Sequence, residues 1–152
     1  MFTRLQKFLA LNSEEKHLFL QGYRLLGVIR FAILTTSFKR LVAGLTVDRK
    51  AMVQAPLDLN SLATAQAIGW SVRTAARFTP WKSTCLVQVL AAQRMLQQRD
   101  IAGAFYLGAV TGSDRDEQQT LSAHAWLKCN NDFITGEPGH DRFTIVTSFS
   151  WP

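Results

Sequence analysis

One cysteine of the sequence occupies a position where it could act as a nucleophile. Cys85 follows Ser83 and Thr84, either of which can cap a helix, so it falls in the first turn of the predicted helix. The positive end of the helix dipole stabilises a thiolate, and the free amides of that turn can bind an oxyanion. Most free cysteines, however, are small buried hydrophobic residues. Position alone therefore makes Cys85 a candidate nucleophile and leaves a packing role open.

A histidine on a predicted strand could supply the base. Strand alternation over residues 122–129 places His124 and Trp126 on one face and Cys129 on the other, apolar face, which we expect to pack against the helices. An imidazole that faces a cleft beside an indole can take the thiol proton and later protonate a leaving amine. On the strand pattern alone, a histidine that merely fills a half-buried strand position is the more common case. Cys129 is assigned to the core, and His17 and His140 are weaker candidates, the latter in a loop that we expect to face solvent.

The hairpin register decides which carboxylate could orient the imidazole. If Asn130 and Asn131 form the turn, residue 129 pairs with 132, and Glu137 then lies opposite His124. Asp141 could fold back across the sheet edge and is the alternative. We favour Glu137 over Asp141, since it lies opposite His124 in this register. The preference is small, because a slip of one residue in the turn would move residue 137 to the other face of the sheet.

Helices that precede strands predict an α+β fold. Asn12 and Glu15 form a capping-box pattern before an apolar helix, and later helices are expected after caps at 60–61 and 83–84. The predicted helices and strands cover residues 13–34, 37–45, 61–78, 85–99, 104–110, 122–129, 133–135 and 143–149, with a loop between 45 and 60. We expect one compact domain, with an N-terminal helical region at 1–58 and a catalytic core at 59–152.

Composition excludes several classes of protein. The chain has 152 residues, 47% of them hydrophobic, which is enough for one domain with its own core. Its two cysteines form no metal-binding or disulfide pattern. The net charge of +6 is not accompanied by a basic-aromatic block, so nucleic acid binding is not expected. No signal peptide is seen, and Arg24 and Arg30 would each cost roughly 2.5 to 3.5 kcal/mol in a bilayer core, so a cytoplasmic protein is expected.

The sequence resembles the B2 leader peptidases of lasso peptide biosynthesis, which belong to the transglutaminase-like (papain-like) superfamily of cysteine enzymes. The resemblance extends over most of the chain. The matching segments are LNSEE at 11–15, FTPWKSTCL at 78–86, LAAQRML at 90–96, YLG at 106–108, AHAWL at 123–127, TGE at 135–137 and DRF at 141–143. The pair of Pro-Trp-x-x-x-Cys-Leu and Ala-His-Ala-Trp is specific, whereas either motif alone would be weak.

The resemblance implies removal of a leader peptide from a lasso precursor, which frees the core for an ATP-dependent cyclase. Cys85 would be the nucleophile and His124 the base, without a cofactor or metal. Where several relatives carry Asp as the third residue, this chain has Gly136, so Glu137 or Asp141 would substitute, or the site would be a dyad.

The resemblance also bears on partners. Fused relatives carry a PqqD-like leader-recognition domain, and we expect this chain to be the split form, which depends on a separate B1 protein and possibly contacts the cyclase. The apolar helix around 18–34 is a candidate docking surface, or it is simply buried. Two alternative functions stay open, namely a transglutaminase-type acyl transferase and a non-catalytic peptide-binding module.

Overall fold

The computed structural model describes residues 6, 9–48, 57–113 and 119–151. The α-helices are α1 (Ser13–Thr35), α2 (Phe38–Leu41), α3 (Leu59–Ala76) and α4 (Cys85–Gln98). The strands are β1 (Thr46–Asp48), β2 (Gly103–Ser113), β3 (Gln119–Cys129), β4 (Asp132–Thr135) and β5 (Thr144–Trp151), with a 3-10 helix at His140–Arg142. Helices followed by a small antiparallel sheet confirm the predicted α+β class.

Side-chain caps set where the long helices begin. The capping box predicted for α1 is present, since Asn12 Oδ1 accepts a hydrogen bond from the Glu15 amide at 2.8 Å. The predicted cap of α3 is wrong by two residues, because Asp58 Oδ1 accepts from the Ser61 amide at 2.6 Å and the helix starts at Leu59. Asp is as good a cap as Asn, so propensity could not choose between neighbouring candidates.

The five strands form one antiparallel sheet in the order β1-β5-β2-β3-β4. Strand β1 lies in the segment that the sequence predicts to be a loop, and that prediction is wrong there. Thr46 pairs with Ser150 and Asp48 with Ser148, so β5 supplies the partner for these three residues. A three-residue strand is too short to show an alternating pattern, and only its partner reveals it.

The main core lies between the helices and one face of the sheet. Leu26 and Ile29 of α1, Ile68 of α3 and Leu90 of α4 belong to one buried cluster together with Leu127 of β3. A second, smaller cluster formed by Ala104, Tyr106 and Trp126 covers the other sheet face. The sheet therefore has a helix-covered face, on which Leu127 of β3 lies, and an aromatic face, on which Trp126 lies.

Helix α1 is long and apolar enough to cross a membrane by length and composition alone. A core helix of a soluble protein passes the same test, so the finding is weak evidence for a span. Leu18, Leu26 and Ile29 of this helix are buried against the rest of the protein, and Arg24 is exposed near its middle.

Candidate active site

Cys85 is the first residue of α4, as the sequence predicts. Thr84 is the cap, and its Oγ1 accepts a hydrogen bond from the Val87 amide at 3.4 Å. The cap leaves the amides of Cys85 and Leu86 without a partner among the described residues. The thiol is half-buried and packs against the main core. A thiolate here would lie at the positive end of a helix of 14 residues, next to amides that can bind an oxyanion.

Hydrogen bonds and ring packing hold the loop that leads into α4. Thr79 Oγ1 and Ser83 Oγ lie 2.8 Å apart, and Gln88 Nε2 donates to the Ser83 carbonyl at 3.1 Å. Trp81 packs on α1, where its ring centroid lies 5.3 Å from that of Tyr23. Helix α1 thereby positions the loop that places Cys85 at the start of α4.

A main-chain carbonyl contacts the imidazole of His124. His124 Nε2 lies 2.7 Å from the Gly136 oxygen, and its half-buried ring lies 5.8 Å from Trp126 and 5.1 Å from Phe143 between centroids. Because a carbonyl oxygen can only accept, Nε2 must carry the proton in this contact. In the neutral ring Nδ1 then keeps its lone pair, which makes Nδ1 the atom that could accept a proton.

Neither predicted orienting carboxylate, Glu137 or Asp141, forms a hydrogen bond to His124 in the described residues. The turn at 130–131 is confirmed, since Cys129 pairs with Asp132, but a bulge after Leu127 shifts the register so that Leu127 pairs with Thr135. Strand β4 ends at Thr135, so Glu137 is not the pairing partner of His124. The sequence pattern does not reveal the bulge, because a bulge inserts one extra residue and interrupts the period-two alternation on which the predicted register depends.

Gly136 comes close enough to β3 to present its carbonyl to His124. Its φ is +78°, and a Cβ at this position would collide with the Ala125 carbonyl oxygen and lie 2.8 Å from Trp126 Cα. Only glycine tolerates both the left-handed backbone and the close approach. The acid that the resemblance leads one to expect at position 136 would therefore not fit this backbone.

Gly136→Ala is predicted to destabilise the protein by more than the backbone strain of about 1 to 2 kcal/mol, because its Cβ also meets the β3 backbone. Gly139→Ala is the matched control, since Gly139 has a φ of +80° and its Cβ would meet only Arg142 Nε at 4.0 Å. Urea unfolding of both variants measures the difference. Equal losses of unfolding free energy in the two variants would mean that the contact between the added Cβ at position 136 and β3 does not affect stability.

Cys85 and His124 contact different clusters in the described structure. Ala125 and Leu127 lie in the main core beneath the helices, whereas His124 contacts Trp126 on the aromatic face. No hydrogen bond joins the Cys85 thiol to the imidazole in the described residues. The predicted alternation of β3 is confirmed for Ala125, Trp126 and Leu127, and the imidazole lies on the aromatic face whereas the thiol packs against the main core.

Cys129 belongs to the core, as predicted. It is fully buried in the main cluster, and burial together with the charge of Asp132 raises the pKa of its thiol to about 12. At neutral pH this thiol is protonated and a poor nucleophile. Cys129 is thus a structural residue, and Cys85 is the cysteine with access to solvent.

His140 packs against the aromatic face, which its position in a predicted loop does not indicate. His140 is half-buried rather than solvent-facing: its Nδ1 lies 2.8 Å from the Glu137 oxygen, and its ring lies 4.5 Å from Phe133 and 5.9 Å from Trp126 between centroids. The carbonyl of Gly136 thus contacts His124, and the next carbonyl, that of Glu137, contacts His140. Both imidazole rings lie beside Trp126. The segment Pro138-Gly139 before His140 signals a turn but gives no indication of where the turn packs. No group of three or more His, Cys, Asp or Glu residues suited to a metal is found in the described ranges.

Comparison with known proteins supports the fold. No curated protein and no solved structure matches the chain. A family model described as Transglutaminase-like superfamily matches residues 25–148, which extend from α1 into β5 and include both Cys85 and His124. This superfamily includes cysteine proteases and acyltransferases. Because the match covers most of the sequence, this chain belongs to the transglutaminase-like superfamily.

Proposed function

We propose that this protein is a cytoplasmic cysteine peptidase that removes the leader from a lasso peptide precursor. The observation that carries the proposal is the half-buried thiol of Cys85 at the first residue of a capped helix, in a superfamily that includes cysteine proteases. The motif pair around Cys85 and His124, which resembles that of the B2 leader peptidases, supports the finer assignment. The released core would then pass to an ATP-dependent cyclase.

The proposed reaction proceeds in two steps. His124 Nδ1 takes the Cys85 proton, the thiolate adds to the scissile carbonyl, and the amides of Cys85 and Leu86 bind the oxyanion. Collapse breaks the C–N bond, and the imidazolium gives its proton to the departing core amine. Water then hydrolyses the thioester, releasing the leader carboxylate and regenerating the thiol.

This mechanism requires the imidazole to reach the thiol in the working enzyme. A base must come within about 2.6 to 3.2 Å of the proton it removes, or act through one water. A second candidate is a peptide-binding module without catalysis, which is favoured because the Cys85 thiol and the His124 imidazole share no hydrogen bond among the described residues and contact different clusters. The two candidates differ in whether a covalent thioester forms at Cys85.

Cleavage in H₂¹⁸O in the presence of a primary amine distinguishes the possible activities. The full chain is incubated with the precursor and a leader-binding protein, and products are analysed by mass spectrometry. A peptidase places ¹⁸O on the new leader carboxylate, which is the result that we expect. A leader–amine adduct would instead identify an acyl transferase, and an intact precursor bound to the protein would identify the binding module.

A separate leader-recognition protein of the PqqD-like B1 type would deliver the precursor and raise its effective concentration at Cys85. Its proposed docking surface is the outer stripe of α1, defined by Leu20, Val28, Phe31 and Leu34. Their side chains are 57%, 54%, 69% and 67% exposed, respectively, which is unusual for large apolar residues in a row along one helix.

Phe31→Glu is predicted to lower partner-stimulated cleavage about tenfold and to leave unstimulated cleavage unchanged, because buried aromatic anchors dominate interfaces. Val146→Glu is the matched control, since Val146 is 58% exposed and lies on β5. Initial cleavage rates with and without the partner measure the effect. Full-rate cleavage by the wild-type chain alone, or unfolding of the Phe31→Glu protein, would contradict the docking role.

A further inference from the structure

A polar cavity of about 610 Å³ lies between α3 and the segment that follows β4. Arg73 of α3 and Arg77, the cap residue that follows this helix, line the cavity, and Thr135, Gly136 and Glu137 line it from the opposite side. Gly136 is the residue whose carbonyl contacts His124. A ligand in this cavity would therefore touch the backbone segment that holds the imidazole.

The two arginines present positive charge that the protein itself only partly compensates. They are four residues apart, so they lie on the same side of α3. Arg73 Nη1 donates a hydrogen bond to the Ile134 carbonyl. Desolvation lowers the pKa of Arg73, the charge of Glu137 opposes this shift, and the neighbouring Arg77 adds to it. Neither arginine forms an ion pair with a carboxylate in the described part of the chain, and Arg77 also lacks a hydrogen bond from its side chain there.

The two arginines that line the cavity differ in their surroundings. Glu137 acts on Arg73, and the charge of Asp132, the other carboxylate of the lining, acts on Cys129 at the end of β3. The Arg77 side chain forms no hydrogen bond or ion pair within the described residues, so its guanidinium donors are available to a ligand. A guanidinium of this kind binds carboxylates through two parallel hydrogen bonds.

A buried hydroxyl supplies an independent sign of a ligand. Thr135 is only 2% exposed, and its Oγ1 has no hydrogen-bond partner, although the residue lines the cavity. An unsatisfied buried hydroxyl is costly, and most such groups in proteins find a partner. The hydroxyl is covered from solvent, so an acceptor oxygen brought in by a ligand would satisfy it after a small movement of the groups that cover it.

We propose that this cavity is a subsite for a carboxylate of the bound peptide, held by Arg77 and by the Thr135 hydroxyl. The inference rests on the proposed function only in taking a peptide as the ligand, and it holds for the peptidase and for the binding module alike. The carboxylate could belong to an acidic side chain or to a peptide C-terminus.

Titration of the full chain carrying Cys85→Ala with three short Gly/Ser peptides tests the subsite. One peptide contains Glu and ends in an amide, the second contains Gln and ends in a free carboxylate, and the third contains Gln and ends in an amide. The ¹⁵N signals of the arginine Nε–H groups report binding at Arg77. We expect at least one of the two acidic peptides to bind about tenfold more tightly than the neutral one, and which of them does so identifies the source of the carboxylate.

Arg77→Gln should abolish this preference, whereas Arg24→Gln, which removes an exposed arginine of α1, should preserve it. Equal binding of all three peptides, absence of binding, or a preference that survives Arg77→Gln would overturn the proposal. Because the thiol is absent from the tested protein, the outcome does not depend on cleavage. Failure of the subsite and failure of the peptidase activity are therefore distinguishable.

Discussion

Cys85→Ala and Cys85→Ser are expected to lower precursor cleavage by more than about 10⁴-fold while the protein stays folded. The thiol is the group that would form the covalent bond, and neither substitute can replace it at neutral pH. Alanine is the best helix former, and position 85 is only half-buried, so the fold should tolerate the change. Mass spectrometry of the precursor measures cleavage, and urea unfolding measures stability.

Cys129→Ala is the matched control for this experiment. The side chain is fully buried, so its loss should cost about 1 kcal/mol of stability and leave cleavage nearly unchanged. Iodoacetamide should label the native wild-type protein once, at Cys85, because the high pKa of Cys129 keeps that thiol protonated. Cleavage by Cys85→Ala would refute the nucleophile, and an inactive but folded Cys129→Ala protein would refute the structural role of Cys129.

His124→Ala is expected to lower cleavage about 10²- to 10⁴-fold, because the variant loses both the base and the proton donor to the leaving amine. Alkylation of Cys85 at pH 6 gives a second measurement. An ordinary thiol with a pKa near 8.5 is almost fully protonated at pH 6, so rapid alkylation requires a group that stabilises the thiolate. The helix dipole remains in His124→Ala, whereas an imidazolium partner is lost. We expect the alkylation rate to fall in His124→Ala.

His140→Ala is the control for the loss of an imidazole beside Trp126. His140 contacts the Glu137 carbonyl much as His124 contacts the Gly136 carbonyl, but no proton transfer is assigned to it. Its variant should keep cleavage and alkylation within a few-fold of wild type. Equal alkylation rates in wild type and His124→Ala would show that no thiolate–imidazolium pair exists, and would favour the peptide-binding module.

Features that depend on a few neighbouring residues could be predicted from the sequence. The capping box at Asn12 and Glu15, the start of α4 at Cys85 and the turn at 130–131 all follow from local hydrogen bonding, which the residue types specify directly. The assignment of Cys129 to the core also follows from period-two alternation. These predictions need no knowledge of what packs against each segment.

Other features depend on contacts between segments that are distant along the chain. Strand β1 exists because β5 pairs with it, and the bulge after Leu127 and the backbone of Gly136 replace the expected carboxylate with a carbonyl. The alternation that makes His124 face away from the helices was already visible in the sequence. Only the tertiary packing showed that Cys85 contacts the main core, whereas His124 contacts the aromatic cluster on the other face of β3. Local propensity specifies each element, whereas the relative placement of two side chains depends on the register and packing of every element between them.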